Sequence, residues 1–243
     1  MGSIPITRST SSAYAEYLKT PATFLRQALV AAALGICGTV GAQTYDDFSG
    51  DGIDAAKWTR SGDSAHFTQS GGRLHFPCRN GASESLVATR TFPAGFFRLE
   101  FSDFDSTNHS PAGQGLGSYV LIALEAGDEH VRMLRGNVAP TGYFEGNHIK
   151  NGRPVLWYDR YDVDHGQLGL YFDGSRVSFF YNTGVDPAKG WRQVGPSVAP
   201  EWKSMPRMYI RGHSGGSGCT RFSVAKVEFT PAPLPTALLQ ALQ

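Results

Sequence analysis

Between Thr44 and Thr230 apolar and polar residues alternate with a period of two in most runs, and that period, not helical spacing, restricts the chain to extended structure. Phe97-Arg98-Leu99-Glu100-Phe101 sorts its apolar and charged residues onto two sides, as a strand with one buried face requires. Leu74 and Phe76 alternate with Arg73 and His75. Leu168, Leu170 and Phe172 alternate, Asp173-Gly174 intervenes, and Val177, Phe179 and Tyr181 alternate again. An Asp-Gly between two such runs predicts a hairpin. Tyr119 to Leu124 is apolar throughout, as for a strand covered on both faces. Turn clusters such as Gly71-Gly72, Asn80-Gly81 and Asn151-Gly152 separate the runs, and 29 Gly and 14 Pro suit so many turns. The expected fold is all-β, a two-sheet antiparallel jelly-roll sandwich.

The segment ahead of this pattern has a different character. Leu29 to Ala42 is almost wholly small or apolar, follows Lys19 and Arg26, and ends Val40-Gly41-Ala42. A basic stretch, an apolar run and a small-residue cleavage site make an export signal. At about 14 residues the run is shorter than the ~20 a bilayer span needs. Residues 1–12 match neither the signal nor the domain. The expected division is therefore 1–42 signal peptide, 43–230 sandwich and 231–243 Pro-rich linker and short tail, in a secreted or periplasmic protein. Cleavage removes three of the 22 basic residues and one of the 21 acidic ones, leaving 19 and 20. That balance excludes the concentrated basic field of a nucleic-acid partner, and nothing after the leader is built for membrane insertion. Cys78 and Cys219 remain, and an even pair in an exported chain reads as a disulfide.

Tyr45-Asp46-Asp47-Phe48-Ser49-Gly50-Asp51-Gly52-Ile53-Asp54, followed by Lys57-Trp58-Thr59, resembles the opening of secreted domains of the concanavalin A-like lectin/glucanase superfamily. Ser70-Gly71-Gly72-Arg73-Leu74, Gly166 to Ser175, Phe179-Phe180-Tyr181-Asn182 and Gly190-Trp191 continue the resemblance over most of Thr44 to Thr230. The motifs specify a superfamily and not a family within it. The resemblance implies a jelly roll, a glycan partner and a structural calcium near the first strand. Asp46, Asp51 and Asp54 are the candidate ligands. Asp47, Ser49, Asp51 and Gly52 also match the first half of a calcium loop, but Trp58 stands where its last carboxylate belongs. An Asp/Gly turn that caps a strand is the alternative reading.

Hydrolases of this superfamily carry Glu-x-Asp-x-Glu or Glu-x-Asp-x-x-Glu on one strand, and both spacings are absent here. Glu100, Asp103 and Asp105 are the nearest candidates, but an unbroken strand puts Glu100 opposite the two Asp residues. Only a bulge would join them. Glu125 and Glu129 share parity across a Gly127-Asp128 turn. The lyases of the fold use His, Tyr and Arg, and Tyr209, Arg211 and His213 share one face without the lyases' signature strands. The chain therefore reads as a non-catalytic, lectin-like carbohydrate binder. A glycan-degrading enzyme with an atypical site, or a cell-envelope interaction module, is the alternative. The expected sugar site is Trp157, Asp159 and Tyr161, with Tyr143 and Asn147 from the preceding strand. The competing reading makes Trp157 and Tyr161 core aromatics.

Overall fold

The computed structural model describes residues 41–243 apart from 63, 108–116, 139–140, 185–189 and 216–217. Nearly all of the expected export signal lies outside the described residues. Strands dominate the rest: β1 Gln43–Asp46, β2 Trp58–Gly62, β3 Thr68–Ser70, β4 Arg73–Phe76, β5 Ser83–Thr91, β6 Gly95–Ser106, β7 Ser118–Ala126, β8 Glu129–Val138, β9 Thr141–Lys150, β10 Arg153–Arg160, β11 Gly166–Phe172, β12 Val177–Asn182, β13 Arg192–Gln193, β14 Arg207–His213 and β15 Thr220–Pro231. One short helix, α1 Thr236–Ala241, follows them.

The strands form two antiparallel sheets, as the alternation demands. The eight-stranded sheet runs β13-β12-β11-β6-β15-β4-β3, with β1 paired to β15 beside this path. The seven-stranded sheet runs β10-β9-β8-β7-β14-β5-β2. Their facing sides enclose Phe97, Leu99 and Phe101 of β6, Val120, Ile122 and Leu124 of β7, and Leu168 and Leu170 of β11. Each such side chain contributes about 1.5–3 kcal/mol by leaving water. Phe144 of β9 stacks on Tyr181 of β12 at 4.2 Å and joins the layers near one edge.

The hairpin at Asp173-Gly174 forms as the sequence predicts, with Phe172 opposite Val177. Asp173 Oδ1 accepts from Ser175 N and Arg176 N, both at 2.7 Å, which fixes the turn. The opening acidic segment acts as a latch. Asp46 is buried; its Oδ1 accepts from Phe48 N at 3.1 Å and Lys57 Nζ at 3.2 Å. Its Oδ2 accepts from Trp58 Nε1 at 2.7 Å. One carboxylate thus ties β1 of the eight-stranded sheet to β2 of the seven-stranded sheet.

Cys78 and Cys219 are bonded, just beyond paired strands β4 and β15. A disulfide fits an oxidising compartment. The last residues are not a loose extension. Leu234, Leu238, Leu239, Ala241 and Leu242 pack on Phe96, Phe180 and Trp191, on the outer face of the eight-stranded sheet. No helix among the described residues is long and apolar enough to cross a membrane.

Candidate functional site

The outer face of the seven-stranded sheet carries a broad array of polar and aromatic groups. Register partners on neighbouring strands share a face, so the pairings stack the outward residues into rows. One row reads Thr59, Val87, Tyr209, Ala123, Arg132, Asn147 and Leu156 from β2 to β10. The row on one side of it reads Ser61, Ser85, Arg211, Leu121, Leu134, Glu145 and Tyr158. The next places His213, Tyr119, Gly136, Tyr143 and Arg160 together. On the other side stand Arg207, Glu125 and His130.

Leu121, Ala123, Leu134 and Tyr209 form a buried apolar floor, with Val87, Tyr119 and Tyr143 against it. Tyr143 lies directly across Gly136, where an added Cβ would come within 2.5 Å of its ring. Only glycine lets that ring settle on the sheet. Above the β2–β8 part of the face is a depression of ≈ 430 Å³, lined among others by Glu125, His130, Arg132, Arg207, Tyr209 and Arg211.

The polar groups are fixed by one another. Arg132 Nε donates to Tyr209 Oη at 2.8 Å. Arg211 donates through Nε and Nη2 to Ser83 Oγ, at 3.2 and 2.8 Å. Arg207 Nη2 donates to Glu125 Oε1 at 3.3 Å. His130 Nδ1 stands 3.3 Å from Glu125 Oε2 without a hydrogen bond's alignment. Asn147 Nδ2 donates to Glu145 Oε1 at 2.8 Å. Burial pushes the Tyr209 hydroxyl up to about 12, against the pull of Arg132. It also raises Tyr143, and raises Glu145 despite Asn147 and Arg132. Burial, with Arg211 nearby, lowers His213 and so favours its neutral ring.

Four buried side-chain polar atoms among the described residues lack a hydrogen-bond partner, and His130 Nδ1, Asn147 Oδ1 and His213 Nδ1 are three of them. All three belong to this one face. Buried polar atoms are nearly always paired, so these three are the atoms of the face with hydrogen-bonding capacity left over.

The five expected sugar residues do not come together. Tyr143 and Asn147 are on the outer face. Trp157 pairs with Gly146 and Asp159 with Phe144, which turns both toward the other sheet. Trp157 packs on Phe179 at 5.9 Å and against Gly195, so it is a partly buried core aromatic. Tyr161 lies beyond β10, 6.5 Å from Tyr181, with Arg192 over its ring. The split follows from the two-residue Asn151-Gly152 loop. It sets Lys150 opposite Arg153, so odd residues of β9 share a face with even residues of β10. That signal was in the sequence. Tyr209, Arg211 and His213 do share a face, and β8 adds His130 and Arg132, which no local pattern singles out.

The carboxylate candidates disperse, with one correction. Asp103 has φ 57°, and the β6–β15 register shifts beside it. This bulge turns Phe104 inward and puts Asp103 and Asp105 on the same outer face as Glu100, not opposite it. Glu100 then pairs with Lys226 at 3.8 Å and Asp105 with Arg221 at 3.0 Å. Glu125 faces outward, whereas Glu129 is buried and accepts from Glu201 N at 2.8 Å. The calcium candidates do not converge either. Both oxygens of Asp46 serve the latch, Asp54 Oδ1 accepts from Ala56 N at 2.8 Å, and Asp51 is exposed. Among the described residues no three His, Cys, Asp or Glu side chains gather as a metal site. The chain's own donors do not fit an ion there.

No family model matches the chain, and no curated protein matches it. Solved structures do. A GH43 protein, BlXynB of Bacillus licheniformis, is 12% identical with a TM-score of 0.58, over 76% of this chain and 38% of its own length. The chain thus spans well under half of that protein. A legume lectin-like domain from Entamoeba histolytica is 10% identical with a TM-score of 0.52, over 72% of this chain and 90% of that domain. A glycosyl hydrolase family 16 protein from Mycobacterium smegmatis is 17% identical with a TM-score of 0.53, over 79% of this chain and 100% of that one. At such identities the likeness establishes the fold, the concanavalin A-like jelly roll.

Proposed function

On this concanavalin A-like jelly roll, we propose, the outer face of the seven-stranded sheet binds a glycan without cleaving it, outside the cell. The observation that carries this reading is that His130 Nδ1 and Asn147 Oδ1, on adjacent strands, and His213 Nδ1, farther along the same face, lack hydrogen-bond partners among the described residues. Around them lie Tyr119, Tyr143, Tyr158 and Tyr209. Aromatic faces cover the apolar side of a sugar ring, and amide, imidazole and guanidinium groups bond its hydroxyls. The glycoside hydrolases and the lectin-like domain of the same fold support a carbohydrate ligand.

The placement of the carboxylates favours binding over hydrolysis. Glu125 and Glu145 stand two strands apart and four residues along, roughly 16 Å between backbones at ordinary sheet spacings. Glycosidases hold their pair about 5–9.5 Å apart. Glu125 is also engaged by Arg207, and Glu145 by Asn147. A Tyr209 hydroxyl raised to about 12 is a poor general base near neutral pH.

Affinity gels with immobilised polysaccharides test the reading. Retention should fall at least tenfold in Asn147→Ala and in Tyr143→Ala, with circular dichroism unchanged. Retention of both variants at the wild-type level would remove this face from consideration. New reducing ends or unsaturated sugars released by the wild-type protein would make it an enzyme instead.

A further inference from the structure

The glycan this face takes is acidic: we propose that Arg132 and Arg211, on either side of Tyr209, hold the carboxylate of a uronic acid unit. The inference deepens the binding reading and rests on it. Both side chains are half-buried and line the same depression. Each is anchored on neutral oxygen, Arg132 on Tyr209 Oη and Arg211 on Ser83 Oγ. Among the described residues no carboxylate lies within ion-pairing distance of either. The chain does not treat its other half-buried or buried arginines in this way. Arg98 pairs with Glu228 and Arg135 with Asp162.

Partly desolvated cations gain most from a counter-charge, and a fixed guanidinium has lost the freedom that would otherwise oppose binding. Glu125 is the depression's carboxylate, and Arg207 and His130 already flank it. Neither Arg132 nor Arg211 is ion-paired among the described residues, and the one carboxyl that acts on Arg132 at longer range, Glu145, is itself held toward its neutral form by burial. A neutral polysaccharide would leave both arginines unpaired. A planar carboxylate suits the guanidinium fork, with Ser85, Ser61 and Thr59 at the depression's wall to bond hydroxyls.

Titration calorimetry on the wild-type protein tests this with oligouronates, their methyl esters of equal length, and a sulfated oligosaccharide lacking uronate. The acid should bind at least tenfold more tightly than its ester, with affinity falling as salt rises. Arg132→Gln and Arg211→Gln should each lose tenfold or more, and Arg211→Lys should regain part of the loss. A preference for the sulfated ligand that both glutamine variants abolish would keep the two arginines as the anion site and overturn the uronate. Equal binding of acid and ester, still abolished by Asn147→Ala, would overturn the inference and leave the binding face standing. No binding of any acidic or neutral glycan would overturn both. Acid binding that survives both glutamine variants would overturn the assignment of these residues. The acid-against-ester comparison needs no variant, so a variant that fails to fold does not spare the proposal.

Discussion

Glu145 shows what burial on the outer face of the seven-stranded sheet does to a single residue. Burial holds its carboxyl above the ordinary range, so the native state keeps a proton that the unfolded chain releases. Stability from this group is therefore full below the ordinary value of about 4.3 and declines as pH rises through its native value. Glu145→Gln retains an acceptor for Asn147 Nδ2 and removes the charge. It should raise the urea midpoint at pH 7, and the gain should vanish below about pH 4. A variant equally stable at every pH would contradict the burial argument. Single residues were legible in the sequence to different degrees. The Asp46-to-Trp58 motif was visible, but its meaning was not. Asp and Trp twelve residues apart read as a metal loop and a strand, and only the fold shows the indole donating to the carboxylate. Trp157 was misleading because an aromatic on an alternating strand suits a core or a sugar equally, and register alone decides.

Elements were the most readable level. Alternation marked most of the long strands, and Asp173-Gly174 and Asn151-Gly152 closed hairpins where expected. What escaped was irregularity. The bulge at Asp103 leaves no mark in composition, yet it reverses which face Asp105 occupies. The C-terminal segment was unreadable for another reason. Its prolines suggest a linker, whereas its leucines answer an aromatic patch of Phe96, Phe180 and Trp191 brought together by two strands and a loop. Leu234 is 5% exposed in that contact. Leu234→Ala should lower the unfolding free energy by about 2–3 kcal/mol and shift Trp191 emission to the red. An unchanged denaturation curve would mean that the helix does not stay docked in solution.

At the scale of the whole molecule, the disulfide closes most of the domain into one loop, its ends separated by 141 positions in sequence. In the chain-entropy model a loop of that size restricts the unfolded state by about 5 kcal/mol. Replacing Cys78 and Cys219 together by Ser should lower stability by roughly 2–5 kcal/mol, read by guanidinium denaturation, without altering glycan retention. Loss of retention in a folded double variant would place the bridge in the binding surface. The pairing was legible because only two cysteines follow the leader. The binding face was only half legible, because its rows cross strands distant in sequence and no local spacing records which residues they bring side by side.

The packed tail has a geometric corollary. The protein's own leucines cover the Phe96, Phe180 and Trp191 patch on the outer face of the eight-stranded sheet, so that patch is closed to any ligand and the proposed gripping face is the opposite one. If the opposite face binds a glycan, a single copy would coat one polymer strand and not stitch two together, leaving a polysaccharide solution no more viscous than it found it.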